Sequence, residues 1–203
     1  MHFFMAKDCV NIILFGAPGA GKGTQAEKLK MKYGLSHIST GEVIRQEIAA
    51  GSELGKSMEG YISRGELAPD ELVVNMVADY VERHRDTVGN IFDGFPRTTV
   101  QAEEFEKIMN KNGMAVDMMI CLDAPEEELV KRLLLRGLES GRADDSCEDV
   151  IRNRLKVYHQ MTEVVADYYK KTDRVCVIDG AGSIDEVFGR LCDAVDSIRN
   201  SKK

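Results

Sequence analysis

A run of glycines, Gly16-Ala17-Pro18-Gly19-Ala20-Gly21-Lys22-Gly23-Thr24, stands between an apolar stretch and a helical one. Val10 to Phe15 reads as a buried strand, and Gln25 to Lys32 as the start of a helix. A strand that turns through glycines into a helix aims several backbone N–H groups and a helix N-terminus at one spot. That spot is an anion site, and Lys22 adds a full positive charge to it. The competing reading is a flexible turn with a solvated lysine. The flanking strand and helix and the additional Gly19 and Gly23 favour phosphate binding. The usual GxxxxGK motif is followed directly by a Ser or Thr that meets magnesium. Here Gly23 takes that place and Thr24 comes one later. A magnesium ion is therefore expected to rely on the nucleotide's phosphates, water and an acid elsewhere, which argues against switch GTPases and motor ATPases.

Five strand-like runs punctuate the chain: Val10 to Phe15, Leu35 to Ile38, Asn90 to Phe92, Met118 to Leu122 and Arg174 to Ile178. Helical patterns separate them, which predicts an α/β fold with a parallel sheet covered on both faces. Ligands in such sheets bind beyond the carboxyl ends of the strands. The glycine loop, Ser39-Thr40-Gly41 and Asp93-Gly94-Phe95-Pro96-Arg97 all follow strand-like runs. Ser39…Glu42, Thr98…Gln101, Ser146…Asp149 and Ser183…Glu186 match a capping box or its Asp variant. Between the second and third runs, Gly41 to Ala50, Glu53 to Arg64 and Asp70 to Arg83 read as three helices jointed at Gly51, Gly65 and Pro69. They predict a small helical flap on the sheet. Gly137 to Asp145 reads as a short mobile loop between helices.

The 203 residues suffice for one domain with a substantial core. A net charge of −7 argues against nucleic acid or an anionic membrane as a bulk partner, so a phosphate-binding protein must concentrate its cations locally. Cys9, Cys121, Cys147, Cys176 and Cys192 form no CxxC pair and are expected to be free thiols. Neither they nor His2, His37, His84 and His159 show zinc-ligand spacing, and no role is assigned to these histidines. No apolar run reaches the length of a membrane span. Residues 1–9 are expected to be a loose tail, their start too short and too acidic for a targeting peptide. The protein is expected to be cytoplasmic.

With Asp93-Gly94-Phe95-Pro96-Arg97, the Ser39-Thr40-Gly41 step and Ser140-Gly141-Arg142-Ala143-Asp144-Asp145 added to the glycine loop, the chain resembles the nucleoside monophosphate kinases. Within them it is similar to adenylate kinases of the short-lid type, from about Val10 to Val195. The resemblance implies a single P-loop NTPase-type domain over 10–203. It would have a five-stranded parallel sheet flanked by helices, a helical NMP-binding flap over 39–68 and a short lid over 136–146, without the four-cysteine zinc lid of some relatives. It implies reversible Mg²⁺-dependent transfer of a phosphoryl group from ATP to AMP, giving two ADP, by a monomer. No general base is required, because a nucleoside monophosphate is already an anionic nucleophile. Catalysis reduces to aligning two polyanions and neutralising their charge, work suited to arginine.

By the same resemblance, Gly19, Ala20, Gly21, Lys22, Gly23 and Thr24 surround the ATP phosphates, with Arg132, Arg136 and Gly182 also on the ATP side. Asp93 is the candidate for Mg²⁺, through water. The AMP side comprises Thr40, Gly41, Arg45, Gly65, Glu66, Leu67, Ala68, Gly94, Arg97 and Gln101. Arg142 and Arg154 join it as phosphate ligands, and Lys22, Arg97, Arg136, Arg142 and Arg154 form the catalytic set. Arg152, on another helix face, reads as solvated. Thr40 and Gln101 resemble adenine readers, although Thr40 also follows a helix cap and Gln101 fits the third position of a capping box. UMP/CMP kinases typically carry Ala and Asn there, so the resemblance favours AMP. Ala68 and Glu42 stand where Val and Asp are common, and the smaller Ala68 would pack less firmly on a base. The alternatives are a UMP/CMP kinase, a P-loop ATPase or nucleotide switch, and a non-catalytic scaffold. Asn110-Lys111-Asn112-Gly113 lacks the aspartate of a guanine-reading NKxD motif, and a scaffold gives no reason for so many arginines.

Overall fold

In a computed structural model, residues 9–145 and 147–202 are described. The expected tail over 1–9 lies outside them except for Cys9, as does the capping residue expected at Ser146. Strand β1 (Val10–Phe15) is buried along its whole length. Its side chains alternate between two cores, as the period of a strand requires. Val10, Ile12 and Leu14 join one core with residues of α1 (Lys22–Tyr33), α6 (Glu126–Ser140), α7 (Glu148–Val157) and α9 (Ile184–Ser201). Ile13 and Phe15 join the other, with residues of α4 (Asp70–Arg83), α5 (Thr99–Lys111) and α8 (Val165–Lys170).

The remaining strands are β2 (Ser36–Ser39), β3 (Gly89–Asp93), β4 (Met118–Asp123) and β5 (Val175–Asp179). All pairings are parallel, in the order β2-β3-β1-β4-β5. The expected five-stranded parallel sheet is thus present, each strand within about two residues of its sequence reading. The chain leaves β1 toward one side of the sheet and later crosses to β4 on the other. The crevice above β1 and β3 is therefore the switch point at which ligands settle. Leu14 pairs with Asp93 and Ser39 pairs with Asp93, so the three connections read as motifs open side by side.

Between β2 and β3 the chain forms α2 (Thr40–Ala49), α3 (Glu53–Ser63) and α4. Val73, Val77 and Val81 recur every fourth residue and bury one face of α4. After β3, Phe92 and Phe95 each meet Phe105 of α5 edge-on, at 4.6 and 5.2 Å between ring centres. Such pairs contribute about 0.5–1.5 kcal/mol each beyond burial and pin the 93–97 turn to the core. The Phe95–Pro96 peptide bond is cis.

The caps depart from expectation. Among the described residues only Ser183 and Glu186 form the full reciprocal capping box. Ser39 caps α2 without a side-chain hydrogen bond, and the Glu42 carboxylate, which would close a reciprocal box, turns to Arg45. Thr98 accepts from the Gln101 N–H, but the Gln101 amide bonds to other partners than the cap. Cys147 occupies the N-cap of α7. Beyond α7 the helix widens into one π-helical turn, Tyr158–Thr162, for which the sequence carried no signal. Among the described residues no helix is long and apolar enough to cross a membrane, and all five cysteines are free.

Candidate active site

Helix α1 begins at Lys22 itself, and its N-cap is Gly21. Gly21 has φ 89°, a left-handed conformation that costs glycine nothing and strains a residue with a Cβ. No acidic side chain occupies the first turn of α1, so the positive end of the helix dipole is left for an external anion. Lys22 folds back across the loop, its Nζ donating to the Gly16 carbonyl at 2.7 Å and the Ala17 carbonyl at 2.9 Å. Burial pushes its pKa down to about 8; Asp93 opposes the shift, and Arg97, Arg136 and Arg154 add to it. A cation held in this way is poorly satisfied until a stronger anion arrives.

Asp93 ends β3 as a buried carboxylate, 7% exposed. Burial works against its charge, but His37 and Lys22 outweigh that and hold it below the ordinary carboxylate range. His37 stands between two acids: Nδ1 lies 3.0 Å from Glu27 Oε1 and Nε2 lies 3.9 Å from Asp93 Oδ2. Burial disfavours its protonation, yet Asp93 and Glu27 together raise its pKa. The sequence had assigned it no role. Gly23 faces the same carboxylate, since a Cβ there would sit 3.7 Å from Asp93 Oδ2. An oxygen ligand facing open space suits a hard cation that keeps its waters.

On the far side of the loop, Arg97 Nε donates to the Gly94 carbonyl at 2.6 Å, and the Arg97 backbone N–H is held by Gln101 Oε1 at 2.7 Å. Burial pushes the Arg97 pKa down to about 10, and the charge of Arg154 adds to the shift. Arg45, bonded to Glu42 at 2.9 Å, reaches the same spot. A Cβ on Gly41 would lie 3.3 Å from Arg45 Nη1 and 3.6 Å from Arg97 Nη2, so two guanidiniums converge over that backbone. Thr40 is buried, and its Oγ1 donates to the Gly94 carbonyl at 2.9 Å.

The third wall comes from the connection between α6 and α7, which includes a 3-10 turn at Ala143–Asp145. Arg136 forks onto Asp145, Nε to Oδ2 at 2.6 Å and Nη2 to Oδ1 at 3.1 Å. Arg154 Nη1 bonds to Asp145 Oδ1, to Asp144 Oδ2 at 3.1 Å and to the Asp144 carbonyl at 3.0 Å. Arg142 Nε lies 3.6 Å from each carboxylate and is buried without a hydrogen bond. Burial lowers its pKa, and the charges of Arg136 and Arg45 add to that. Burial raises the pKa of Asp145, but the hydrogen bond from Arg136 and the neighbouring guanidiniums hold it well down. The sequence reading places these two aspartates in a family-like loop motif but gives their side chains no role. Adjacent carboxylates in an arginine-rich segment were the available signal.

The segment that follows α3 approaches this wall closely. A Cβ on Gly65 would be 2.8 Å from Arg154 Cγ and 2.9 Å from the Val150 carbonyl, so only glycine fits there. Asn153 Nδ2 donates across the same seam to the Arg64 carbonyl at 2.7 Å. Together the three walls enclose a cavity of about 420 Å³. It is lined by Gly19, Gly21, Lys22, Gly23 and Thr24 from the loop and by Thr40, Gly41, Arg45, Asp93, Gly94, Arg97 and Gln101 from the strand ends. Gly65, Glu66, Leu67 and Ala68, which follow α3, line it too, with Arg136, Arg142 and Arg154. Three expected residues do not line it. Ala20 is buried in the core beneath the loop, and Arg132 turns to Glu128 at 2.9 Å. Gly182 lies in the turn before α9, where a Cβ would meet Glu186 Oε2 at 2.8 Å. Arg152 pairs with Glu148 on an exposed face, as its solvated reading expected.

Such a loop at the switch point of such a sheet, facing five arginines, belongs to the P-loop phosphotransferases. The family model described as "Adenylate kinase" matches residues 14–174. The chain is 49% identical over 189 residues to the adenylate kinase of Bacteroides thetaiotaomicron, covering 93% of this chain and 100% of that relative. It is 46% identical over 189 residues to that of Flavobacterium johnsoniae, covering 93% of this chain and all of the relative. It is 46% identical over 190 residues to that of Porphyromonas gingivalis, covering 94% and 97% of the two chains. The chain belongs to the adenylate kinase family.

Proposed function

We infer that this enzyme transfers the terminal phosphoryl group of ATP reversibly to AMP, giving two ADP. One observation carries the reading: Lys22 and five arginines, carried on separate elements, converge on a single cavity large enough to bring two polyanions together. In a protein of net charge −7, that local concentration of cations makes the cavity a site for anions. The loop amides and Lys22 take the donor phosphates, with Lys22 leaving the Gly16 and Ala17 carbonyls for them. Arg45 and Arg97 take the AMP phosphate, and Thr40 and Gln101 read its base beside Ala68. Arg136, Arg142 and Arg154 close over the transferring group, their charge shifting from Asp144 and Asp145 to the phosphates. The attacking AMP oxygen is already anionic, so no side chain need remove a proton. Alignment, charge neutralisation and exclusion of water from the closed cavity supply the rate.

Asp93 would hold Mg²⁺ through water, consistent with its burial, its anionic state and the space left by Gly23. Among the described residues no group of three or more His, Cys, Asp or Glu side chains could hold a metal, so the nucleotide itself must supply ligands. The ion would supply positive charge against the donor phosphates, with Asp93 holding its water. Residues 39–68 act as the acceptor flap and 136–146 as the lid of one domain. The enzyme acts as a monomer in the cytoplasm, where its free cysteines would stay reduced. ADP formation from Mg·ATP with AMP, UMP, CMP, GMP or no acceptor tests the reading. Strong stimulation by AMP alone is expected. A preference for UMP or CMP would refute the base assignment, and acceptor-independent hydrolysis would refute the reaction.

A further inference from the structure

Asp70 is the first residue of α4, two residues beyond Ala68 of the cavity wall. A carboxylate in a first helical turn has an ordinary explanation in the helix dipole. Its side chain, however, reaches across to another helix. Asp70 Oδ1 accepts from Gln101 Nε2 at 2.8 Å, and Oδ2 accepts from Thr98 Oγ1 at 3.1 Å. The Thr98 hydroxyl, its proton so committed, accepts the Gln101 backbone N–H at 3.1 Å. Gln101 Oε1 accepts the Arg97 backbone N–H at 2.7 Å. The amide, 1% exposed, is therefore held at both ends, its oxygen toward Arg97 and its nitrogen toward Asp70. A glutamine amide is nearly symmetric in shape, so its partners alone decide which end donates. An ionised carboxylate only accepts and admits only the NH₂ end.

We propose that Asp70 is a positioning residue for acceptor specificity, fixing the Gln101 amide so that the site takes a 6-aminopurine monophosphate and rejects a 6-oxopurine one. The proposal rests on the reading of Gln101 as a residue that faces the acceptor base. With its two ends committed, the amide still has one N–H and one oxygen lone pair to offer. Adenine presents an amino donor beside a ring-nitrogen acceptor, which this orientation complements. A 6-oxopurine presents a carbonyl acceptor beside a ring N–H, the reverse pattern. It would match only a flipped amide, which would set NH₂ against the Arg97 N–H and a carbonyl against the Asp70 carboxylate. Those two contacts are repulsive, and unmatched buried polar groups are costly. Through Pro69, the same carboxylate also ties the end of the flap to the start of the helix that carries the amide.

The test compares full-length Asp70→Ala, Asp70→Asn and Gln101→Ala enzymes for kcat and KM with AMP and with inosine monophosphate at saturating Mg·ATP, alongside thermal unfolding. Asp70→Ala should raise the KM for AMP about tenfold, hold kcat within about twofold and narrow the preference for AMP about tenfold. Asp70→Asn keeps one carbonyl to accept from Nε2 and should restore part of both. Lower thermal stability with unchanged KM and preference would overturn the proposal, leaving Asp70 as a helix-end charge. Should the alanine variant fail to fold, Asp70→Asn decides: a KM rise of about threefold or more supports the proposal and an unchanged KM overturns it. Gln101→Ala separates the two levels. An unchanged KM for AMP there would overturn the reading of Gln101, and a raised one with no effect at Asp70 would overturn the role of Asp70 alone.

Discussion

Asp145 is the counter-charge on which Arg136 and Arg154 rest, beside Arg142, and Asp145→Asn removes that charge while keeping the side chain's size. The carboxylate is wholly buried, whereas Arg136, Arg142 and Arg154 are 37%, 21% and 17% exposed. It accepts a forked pair from Arg136 and a further bond from Arg154. Hydrogen bonds to charged groups contribute about 1.5–3 kcal/mol each, and breaking a buried ion pair costs about 3–5 kcal/mol. Water reaches the arginines and screens part of that, so the expected loss is about 2–4 kcal/mol. For a chain of this length it should lower the melting temperature by about 5–12 °C. Urea unfolding with and without an inhibitor that joins the two nucleotides is the assay. The inhibitor's phosphates replace the missing carboxylate, so the gap between parent and variant should narrow when it is bound. A variant within about 0.5 kcal/mol of the parent without ligand would refute this account of the arginine cluster. The pH dependence has a definite sign. The folded carboxyl titrates below its unfolded value, so its stabilisation is present above the ordinary carboxylate range and is lost as pH falls through the folded value. Asp145→Asn should flatten that acid limb.

Lys22→Met and Arg97→Ala should each lower turnover roughly tenfold or more without unfolding the chain, checked by steady-state rates beside circular dichroism. Lys22 titrates near 8 in the free enzyme, and bound phosphates should raise that value. Binding of ATP at pH 8–9 should therefore take up protons, seen by calorimetry in buffers of different ionisation enthalpy, and Lys22→Met should abolish the uptake. The linked inhibitor should also protect the segments around Gly51, Gly65, Gly137 and Gly141 from hydrogen exchange. Unchanged exchange would contradict closure of flap and lid.

The sequence carried the parts of this fold that depend on neighbours along the chain. The apolar run of β1, the glycine loop and the α4 stripe of Val73, Val77 and Val81 are local patterns with one physical solution each. What it could not carry was choice among partners distant in sequence. Thr98…Gln101 has the spacing of a reciprocal capping box, yet the amide turns to Asp70, which lies 31 residues away. Glu42 has the spacing to cap Ser39 and pairs with Arg45 instead, because a guanidinium within one turn is the stronger partner. His37 carried no sign of its position between Glu27 and Asp93, since that follows from β2 lying beside β3. Arg132 and Arg136 share a helix face in sequence, but only Arg136 reaches the cavity, and Glu128 holds the other.

The central claim is that a phosphoryl group passes directly between two nucleotides held in one cavity. Incubating the enzyme with Mg·ATP and AMP, and resolving all three nucleotides by chromatography over time, tests it most directly. Two ADP should form for each AMP consumed, with equal loss of ATP, and adding ADP alone should regenerate ATP and AMP. One ADP for each ATP, with AMP untouched and phosphate released, would contradict it.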